Sequence, residues 1–260
     1  MTQRALPGYR LDHLIHRGNS FEVYAAWSLE RDCPVVVKRA RPAAEQQAIR
    51  RLLAEGRLLT RLTHPHLVRA YEVHREPRPA VVLETLPGRT LGHLFDDGPI
   101  PAPDVVMLGR QLASVLSYLH GCGIVHGDLK PGNATVHAGL VRVIDLSLAQ
   151  RPGRWRRPAG TPGYLAPEQA RRADVGPATD VWGLGLLLLE AASGDDPFPV
   201  GCPEYDEDIG PVAAPRPLRL RRRASRALSD LLAAMTALDP QARPALAQVR
   251  AELHRLPGRD

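Results

Sequence analysis

Lysine is nearly absent from this 260-residue chain: of 34 Lys plus Arg, only Lys38 and Lys130 are lysine. Wherever any cation suffices the chain uses arginine, so the two exceptions either mark places that need a compact ammonium on a flexible stem and not a planar guanidinium, or reflect chance in a lysine-poor composition. Asparagine is as scarce, occurring only at Asn19 and Asn133. Aromatic residues make up 5% of the chain, and none interleave as a stacking platform with the arginine clusters at Arg154, Arg156 and Arg157, at Arg171 and Arg172, and from Arg216 to Arg223. The net charge of +6 therefore reads as solvated basic faces, and no nucleic-acid partner is expected. Cysteines are few, odd in number and widely spaced, at Cys33, Cys122 and Cys202, which argues against a disulfide framework or a zinc site and fits a reducing interior. The start, Met1-Thr-Gln-Arg-Ala-Leu, lacks an apolar signal core, and the richest apolar run, Val181 to Leu189, falls short of the ~18 residues a membrane span needs. A soluble, cytoplasmic protein with no membrane partner is expected.

What is present is enough apolar residue, 44%, for a sizeable core, punctuated by 25 prolines and 22 glycines. Short β-type runs at Tyr9 to Ile15, Phe21 to Trp27 and Pro34 to Arg39 precede a helical stretch from Ala43 to Leu62, where Ile49, Leu52, Leu53, Leu59 and Leu62 recur at helical spacing. Two further strands are predicted, Leu67 to His74 and Ala80 to Glu84, before Leu86-Pro-Gly88 breaks the pattern as a linker. Beyond it the chain turns helical, with candidates at Pro103 to Leu119, Ala178 to Ser193, Ala224 to Leu238 and Pro244 to Leu256.

Three of the four rare residues sit in segments with chemical character. Lys38 closes the run Pro34-Val-Val-Val-Lys38, and both Lys130 and Asn133 lie in His126-Gly-Asp-Leu-Lys-Pro-Gly-Asn133. The apolar run Val141-Arg-Val-Ile-Asp145 has the form of a buried strand delivering a carboxylate, although an ordinary loop aspartate after a strand would look the same in isolation. Gly160-Thr-Pro-Gly-Tyr-Leu-Ala-Pro-Glu168 is the most specific string of all. Taken in order, these pieces resemble the eukaryotic-type protein kinases over nearly the whole chain, in particular the serine/threonine branch found in bacteria. The resemblance implies an α+β, bilobal kinase fold. A small β-rich N-lobe of five strands and one main helix would span residues 1–86, and a larger α-rich C-lobe residues 87–260.

By the same resemblance, Lys38 would hold the ATP α- and β-phosphates with Glu55 pairing to it. Asp128 would accept or orient the proton of a substrate hydroxyl, and Lys130 would neutralise the phosphoryl group in flight. Asn133 and Asp145 would ligate Mg²⁺, or Mn²⁺ in its place, as hard oxygen donors. The nucleotide would further meet Gly18, Val23, Val36 and Thr135, with Leu83 behind it and the backbone of Glu84 and Leu86 facing the adenine. Thr161 together with Lys130 points to Ser or Thr hydroxyls of protein substrates. Asp180, Glu168 and Arg243 would be structural, and the loss of one would strand a buried charge at ~3–5 kcal/mol.

The chain also departs from the family pattern. Where Gly-x-Gly-x-x-Gly-x-Val is usual it has His16-Arg-Gly18-Asn-Ser-Phe21-Glu-Val23, so one glycine of three survives and weakened ATP binding is expected. Val36 replaces an alanine and narrows the adenine pocket. Asp145-Leu-Ser replaces Asp-Phe-Gly, with Leu146 expected to pack beside Leu59 and Ala70. Gly127 stands where many relatives carry an arginine that captures a phosphorylated segment, and no Ser, Thr or Tyr lies between Ser147 and Thr161. Activity independent of phosphorylation there is therefore expected. The arginines of that segment and the acidic stretch Glu204-Tyr-Asp-Glu-Asp208 offer opposite hints about substrate charge.

Two other readings stay open on sequence. A pseudokinase acting as a nucleotide-sensing or scaffolding protein is supported by the altered glycine loop and Leu146-Ser147, and opposed by the retained Lys38, Glu55, Asp128, Lys130, Asn133 and Asp145. A small-molecule phosphotransferase is supported by the His-Gly-Asp-Leu-x-Pro-Gly-Asn loop. It is opposed by Lys130, where those enzymes usually carry histidine, and by the Gly160 to Glu168 string. The chain ends soon after its last predicted helix, so regulation is expected from a protein partner, from a homodimer or from expression.

Overall fold

The computed structural model describes residues 6–155, 160–199, 202, 204–206, 210–211 and 225–258. Arg156, Arg157, the run Arg216 to Arg223, and Glu207 and Asp208 of the acidic stretch lie outside the described residues. The chain divides into two compact units. The first comprises residues 1–87 and Asp145–Ser147, and the second residues 88–144 and 148–260. The linker predicted at Leu86-Pro-Gly88 thus falls at the division, and Asp145 to Ser147 group with the first unit, where Asp145 accepts from Lys38 and the Leu146 N–H donates to Glu55.

In the first unit β1 (Tyr9–Arg17), β2 (Phe21–Ser28), β3 (Cys33–Ala40), β4 (Ala70–His74) and β5 (Ala80–Glu84) form one antiparallel sheet in the order β1-β2-β3-β5-β4. Its single main helix is α1 (Gln46–Leu59). Alternation along the strands sorts side chains onto two faces. One face carries Tyr24, Ala26, Val35, Val37, Ala80 and Val82 into a core shared with Leu6 and Tyr9. Register sets Val23 opposite Lys38, Lys38 opposite Val81, and Val36 opposite Leu83, so these residues share the other face. α1 approaches that same face closely: a Cβ on Gly56 would lie 2.7 Å from methyls of both Val73 and Val81.

Two sequence boundaries shift for local reasons. The predicted helix from Ala43 begins at Gln46 because Arg41 to Ala44 close a turn, with the Ala44 N–H donating to the Arg41 carbonyl at 3.0 Å. The predicted strand from Leu67 begins at Ala70. Leu67 and Val68 are buried, but the Leu67 N–H closes a turn onto the His64 carbonyl, so their apolar character reflects burial and not strand pairing.

The second unit opens with β6 (Arg89–Thr90) and α2 (Leu91–Phe95), whose N-cap Thr90 hydroxyl accepts from the His93 N–H. α3 (Ala102–Gly121) follows, then β7 (Ala134–His137) and β8 (Leu140–Val143), which with β6 make a three-stranded sheet in the order β6-β7-β8. β9 (Gly153–Arg154) pairs with β10 (Asp174–Val175) across α4 (Pro167–Ala170). The apolar α5 (Pro177–Ser193) is buried on nearly every side, which is why its sequence reads as continuously hydrophobic. After the short pair β11 (Tyr205–Asp206) and β12 (Gly210–Pro211) come α6 (Arg226–Met235) and α7 (Leu246–Arg255). α6 starts later than the pattern suggests because the Ser225 hydroxyl caps it, accepting from the Leu228 N–H at 3.2 Å. A β-sheet unit with one main helix and a helical unit give the α+β class that the sequence predicts.

Candidate active site

The first unit gathers Lys38, Glu55 and Asp145 around one ammonium. Lys38 Nζ donates to both Glu55 carboxylate oxygens, at 3.0 and 2.8 Å, and to Asp145 Oδ2 at 3.0 Å. Strand β3 aims Lys38 at α1, and the glycine beside Glu55 lets that helix come near enough for the pair to close. The Leu146 N–H donates to Glu55 at 3.3 Å and the Ser147 N–H to Asp145 Oδ1 at 2.7 Å, so the segment after β8 is fastened by the same carboxylates. Burial alone would lower the Lys38 pKa, but the two carboxylates hold it above the ordinary lysine value. Burial also acts on Asp145, where the Lys38 ammonium and the Ser147 contacts outweigh it and bring the carboxyl down to about 2. Glu55 is the most enclosed of the three, and burial raises its carboxyl to about 7 against the pull of Lys38.

The other first-unit candidates lie along the same sheet and the turns that join and follow its strands. Val23 and Val36 are half-buried on the Lys38 face, with Leu83 opposite Val36. Glu84 ends β5, its carboxylate accepting from the Arg69 N–H at 2.8 Å and its own N–H donating to the Arg69 carbonyl at 3.0 Å. Leu86 follows as a half-buried residue. At the β1–β2 turn a Cβ on Gly18 would meet only ordinary contacts, at 3.5 Å and beyond, so the surviving glycine is not demanded by space. Two residues shape that turn in ways the sequence reading did not assign. Arg41 donates to the carbonyls of Gly18 and Asn19 at 3.2 and 3.3 Å, and Lys38 Nζ lies 5.6 Å from the centre of the Phe21 ring. Phe21, standing where a glycine is usual, therefore adds an aromatic wall beside the ammonium.

The second unit gathers Asp128, Lys130, Asn133 and Thr161. Asp128 Oδ1 accepts from the Thr161 N–H and hydroxyl, both at 3.0 Å. Asn133 Nδ2 donates to Asp128 Oδ2 at 3.0 Å and to its carbonyl at 2.8 Å, which leaves the amide oxygen as the donor atom a hard cation takes. Lys130 bonds the Thr161 hydroxyl and stands 3.7 Å from Asp128 Oδ2. Thr135 sits on β7, paired with Thr90 on one side and Arg142 on the other, its hydroxyl toward the Arg142 carbonyl at 3.5 Å.

Beneath these groups lies a bracing layer. Asp180, on α5, is almost wholly buried and accepts from the His126 and Gly127 N–H groups at 2.9 and 2.8 Å and from His120 at 2.7 Å. Gln169 donates to the Gly127 carbonyl at 2.8 Å. Arg243 forks onto Glu168 at 2.8 and 2.9 Å, with the Thr179 hydroxyl on the same carboxylate at 2.7 Å. His120, Gln169 and Trp155 escaped the sequence reading, because a lone histidine, glutamine or tryptophan carries no spacing signal. Among the described residues no helix is long and apolar enough to cross a membrane.

The protein kinase domain family matches residues 9–253. Similar curated proteins include the DNA damage-responsive serine/threonine-protein kinase RqkA of Deinococcus radiodurans, 32% identical over 259 residues, covering 93% of this chain and 39% of that protein. Serine/threonine-protein kinase PknB of Mycobacterium leprae is 32% identical over 205 residues, covering 73% of this chain and 33% of its own length. Serine/threonine-protein kinase pkn3 of Myxococcus xanthus is 29% identical over 273 residues, covering 94% and 49%. The chain spans less than half the length of each of these relatives. With a match running from the first strand of the sheet unit to the last helix of the helical unit, the chain belongs to the protein kinase domain family.

Proposed function

We propose that this chain is a serine/threonine protein kinase that transfers the ATP γ-phosphoryl group to hydroxyls of protein substrates in the cytoplasm. Residues 1–86 would act as the nucleotide-gripping lobe and residues 87–260 as the lobe of the catalytic loop and substrate. The observation that carries the reading is Asp128. Its carboxylate is held from one side by Asn133 and from the other by Thr161, with Lys130 beside it, an arrangement suited to receiving a hydroxyl proton while a cation stands ready for phosphate. In the transfer, the substrate oxygen bonds to the γ-phosphorus, the bond from that phosphorus to the β-phosphate oxygen breaks, the hydroxyl proton passes to Asp128, and ADP leaves.

Each other residue has a share in this reading. Lys38, fixed by Glu55, holds the α- and β-phosphates as a point charge. Val23, Val36 and Leu83 offer an apolar wall to the adenine, the backbone of Glu84 and Leu86 its hydrogen-bonding edge, and Gly18 and Thr135 are further nucleotide-binding residues. The donor set suits Mg²⁺, or Mn²⁺ in its place. An Asp145 carboxyl held at about 2 is ionised at neutral pH, and the Asn133 amide oxygen is hard and uncharged. Such an ion, when bound, supplies charge neutralisation to the phosphates. Regulation is assigned to a protein partner or a homodimer, since the stretch between Ser147 and Thr161 contains no phosphate acceptor.

The experiment is incubation with labelled ATP, Mg²⁺ and a generic basic protein, beside Asp128→Asn and Lys38→Arg. Transfer by the parent alone is expected. Equal label with all three proteins would reject catalysis and favour a chain that only binds.

A further inference from the structure

Gly127, one residue before Asp128, has a φ of +73°, and a Cβ there would lie 2.1 Å from Cη2 of Trp155 and 3.1 Å from Cζ2 and Cζ3. The tip of the indole is therefore seated directly on the catalytic-loop backbone, where any side chain at 127 would collide with it. Trp155 is 6% exposed and packs in a cluster with Val125, from the strand-like entry to that loop, and Val175 of β10. The surrounding segment is laid down to deliver it. Val125 and Gln150 exchange both backbone bonds, at 2.8 and 3.0 Å, β9 pairs with β10 just before Trp155, and Arg154 Nε donates to the Arg172 carbonyl at 3.2 Å. The backbone of Gly127 is meanwhile clamped at both ends, its N–H on Asp180 and its carbonyl under Gln169.

A charged lock at this place needs a phosphate on the segment and a cation to receive it. The chain has neither a Ser, Thr or Tyr between Ser147 and Thr161 nor a side chain at 127. Burial of a large aromatic surface supplies the same constraint without either, and it is active as soon as the chain folds. We propose that Trp155 is a positioning residue for phosphoryl transfer: its indole, plugged against Gly127, holds the catalytic loop and the 148–155 segment together in place of a phosphate-bearing side chain and a cationic receiver. The proposal rests on the kinase reading above and adds to it a physical reason for independence from phosphorylation. An apolar plug is also indifferent to ionic strength, unlike a phosphate–guanidinium pair.

The test compares the parent with Trp155→Ala, Trp155→Phe, Gly127→Ala and the Trp155→Ala/Gly127→Ala double variant. The readouts are steady-state kinetics, at low and high salt, and amide hydrogen exchange. Trp155→Ala is expected to lower kcat by about 10–100-fold while KM for ATP stays within about twofold, and Trp155→Phe to recover most of the loss. Gly127→Ala should damage the parent strongly but add little in the Trp155→Ala background, because the collision partner is gone. Amides of residues 126–128 and 148–155 should exchange about tenfold faster or more in Trp155→Ala, with those of β3 and α1 unchanged. A kcat for Trp155→Ala within about twofold of the parent, additive losses in the double variant, or faster exchange spread over the whole chain would each overturn the proposal. Should Trp155→Ala not fold, Trp155→Leu carries the same readouts. If the parent shows no transfer above Asp128→Asn, the kinase reading fails, and exchange still decides the plug: local loosening supports it and unchanged exchange rejects it.

Discussion

Glu55 is the residue where burial and pairing pull hardest against each other. It is 1% exposed, accepts two bonds from Lys38 and one from the Leu146 N–H, and is nonetheless raised from 4.5 to about 7 because enclosure penalises its charge. A carboxyl whose folded value lies above its unfolded one binds its proton more tightly in the folded state. Between pH 4.5 and about 7 its contribution to stability therefore falls as pH rises. Asp145 runs the other way, with a contribution present above 3.8 and lost as pH falls through about 2. Compared with Glu55→Gln, the parent should lose stability progressively from pH 4.5 to 7, measured by urea unfolding at each pH. Parallel curves for the two proteins in that window would refute the raised Glu55 value. The two scarce lysines also separate here: one is locked by two carboxylates, and the other is shared between a carboxylate and a hydroxyl.

At the scale of elements, the site depends on how closely helices and loops can approach what they serve. Gly56 lets α1 settle onto β4 and β5, and the stiff branched side chains of Val73 and Val81 leave no room for a methyl there. Gly56→Ala should cost about 1–3 kcal/mol and weaken binding of a fluorescent ATP analogue, because lifting α1 draws Glu55 away from Lys38. Val81→Ala in the same chain should restore part of the binding, and a failure to do so would locate the fault elsewhere. In the helical unit the Arg243 guanidinium, with no exposed surface, joins the loop before α7 to Glu168 of α4 and to the carbonyls of Ala178, Ala237 and Leu238. Arg243→Ala should lower the unfolding free energy by about 3–5 kcal/mol in chemical denaturation, since it strands a buried carboxylate. Arg243→Lys should recover only a fraction, because an ammonium cannot fork onto both oxygens.

At the scale of the whole molecule, the kinase function proposed above divides the labour between the two compact units. The sheet unit holds the ammonium and carboxylates suited to nucleotide phosphates, and the helical unit holds the group suited to a substrate hydroxyl. Variants should divide in the same way. Lys38→Met should weaken binding of an ATP analogue and lower transfer together. Asp128→Asn should leave binding within about twofold while lowering transfer by about 10²–10⁴-fold. Equilibrium titration beside single-turnover kinetics separates the two effects, and a large loss of nucleotide affinity in Asp128→Asn would contradict the division.

Sequence by itself, through the family resemblance its motifs carry, determined the α+β class, and it determined the main strands and helices and the break at Leu86-Pro-Gly88; it also nominated the candidate site residues. These are carried by local periodicity, by ordered motifs and by the rarity of lysine and asparagine, all of which are one-dimensional signals. Element ends were legible only to within a turn, because a cap such as Ser225 or a turn such as Arg41 to Ala44 competes with the apolar pattern. Tertiary structure alone decided that Arg41 ties down the glycine-poor turn, that Phe21 walls Lys38, that His120 joins Asp180, and that Trp155 sits on Gly127. Each of these joins residues far apart in the chain through packing or a buried hydrogen bond, and a contact that exists only after the chain has folded leaves no periodicity to read.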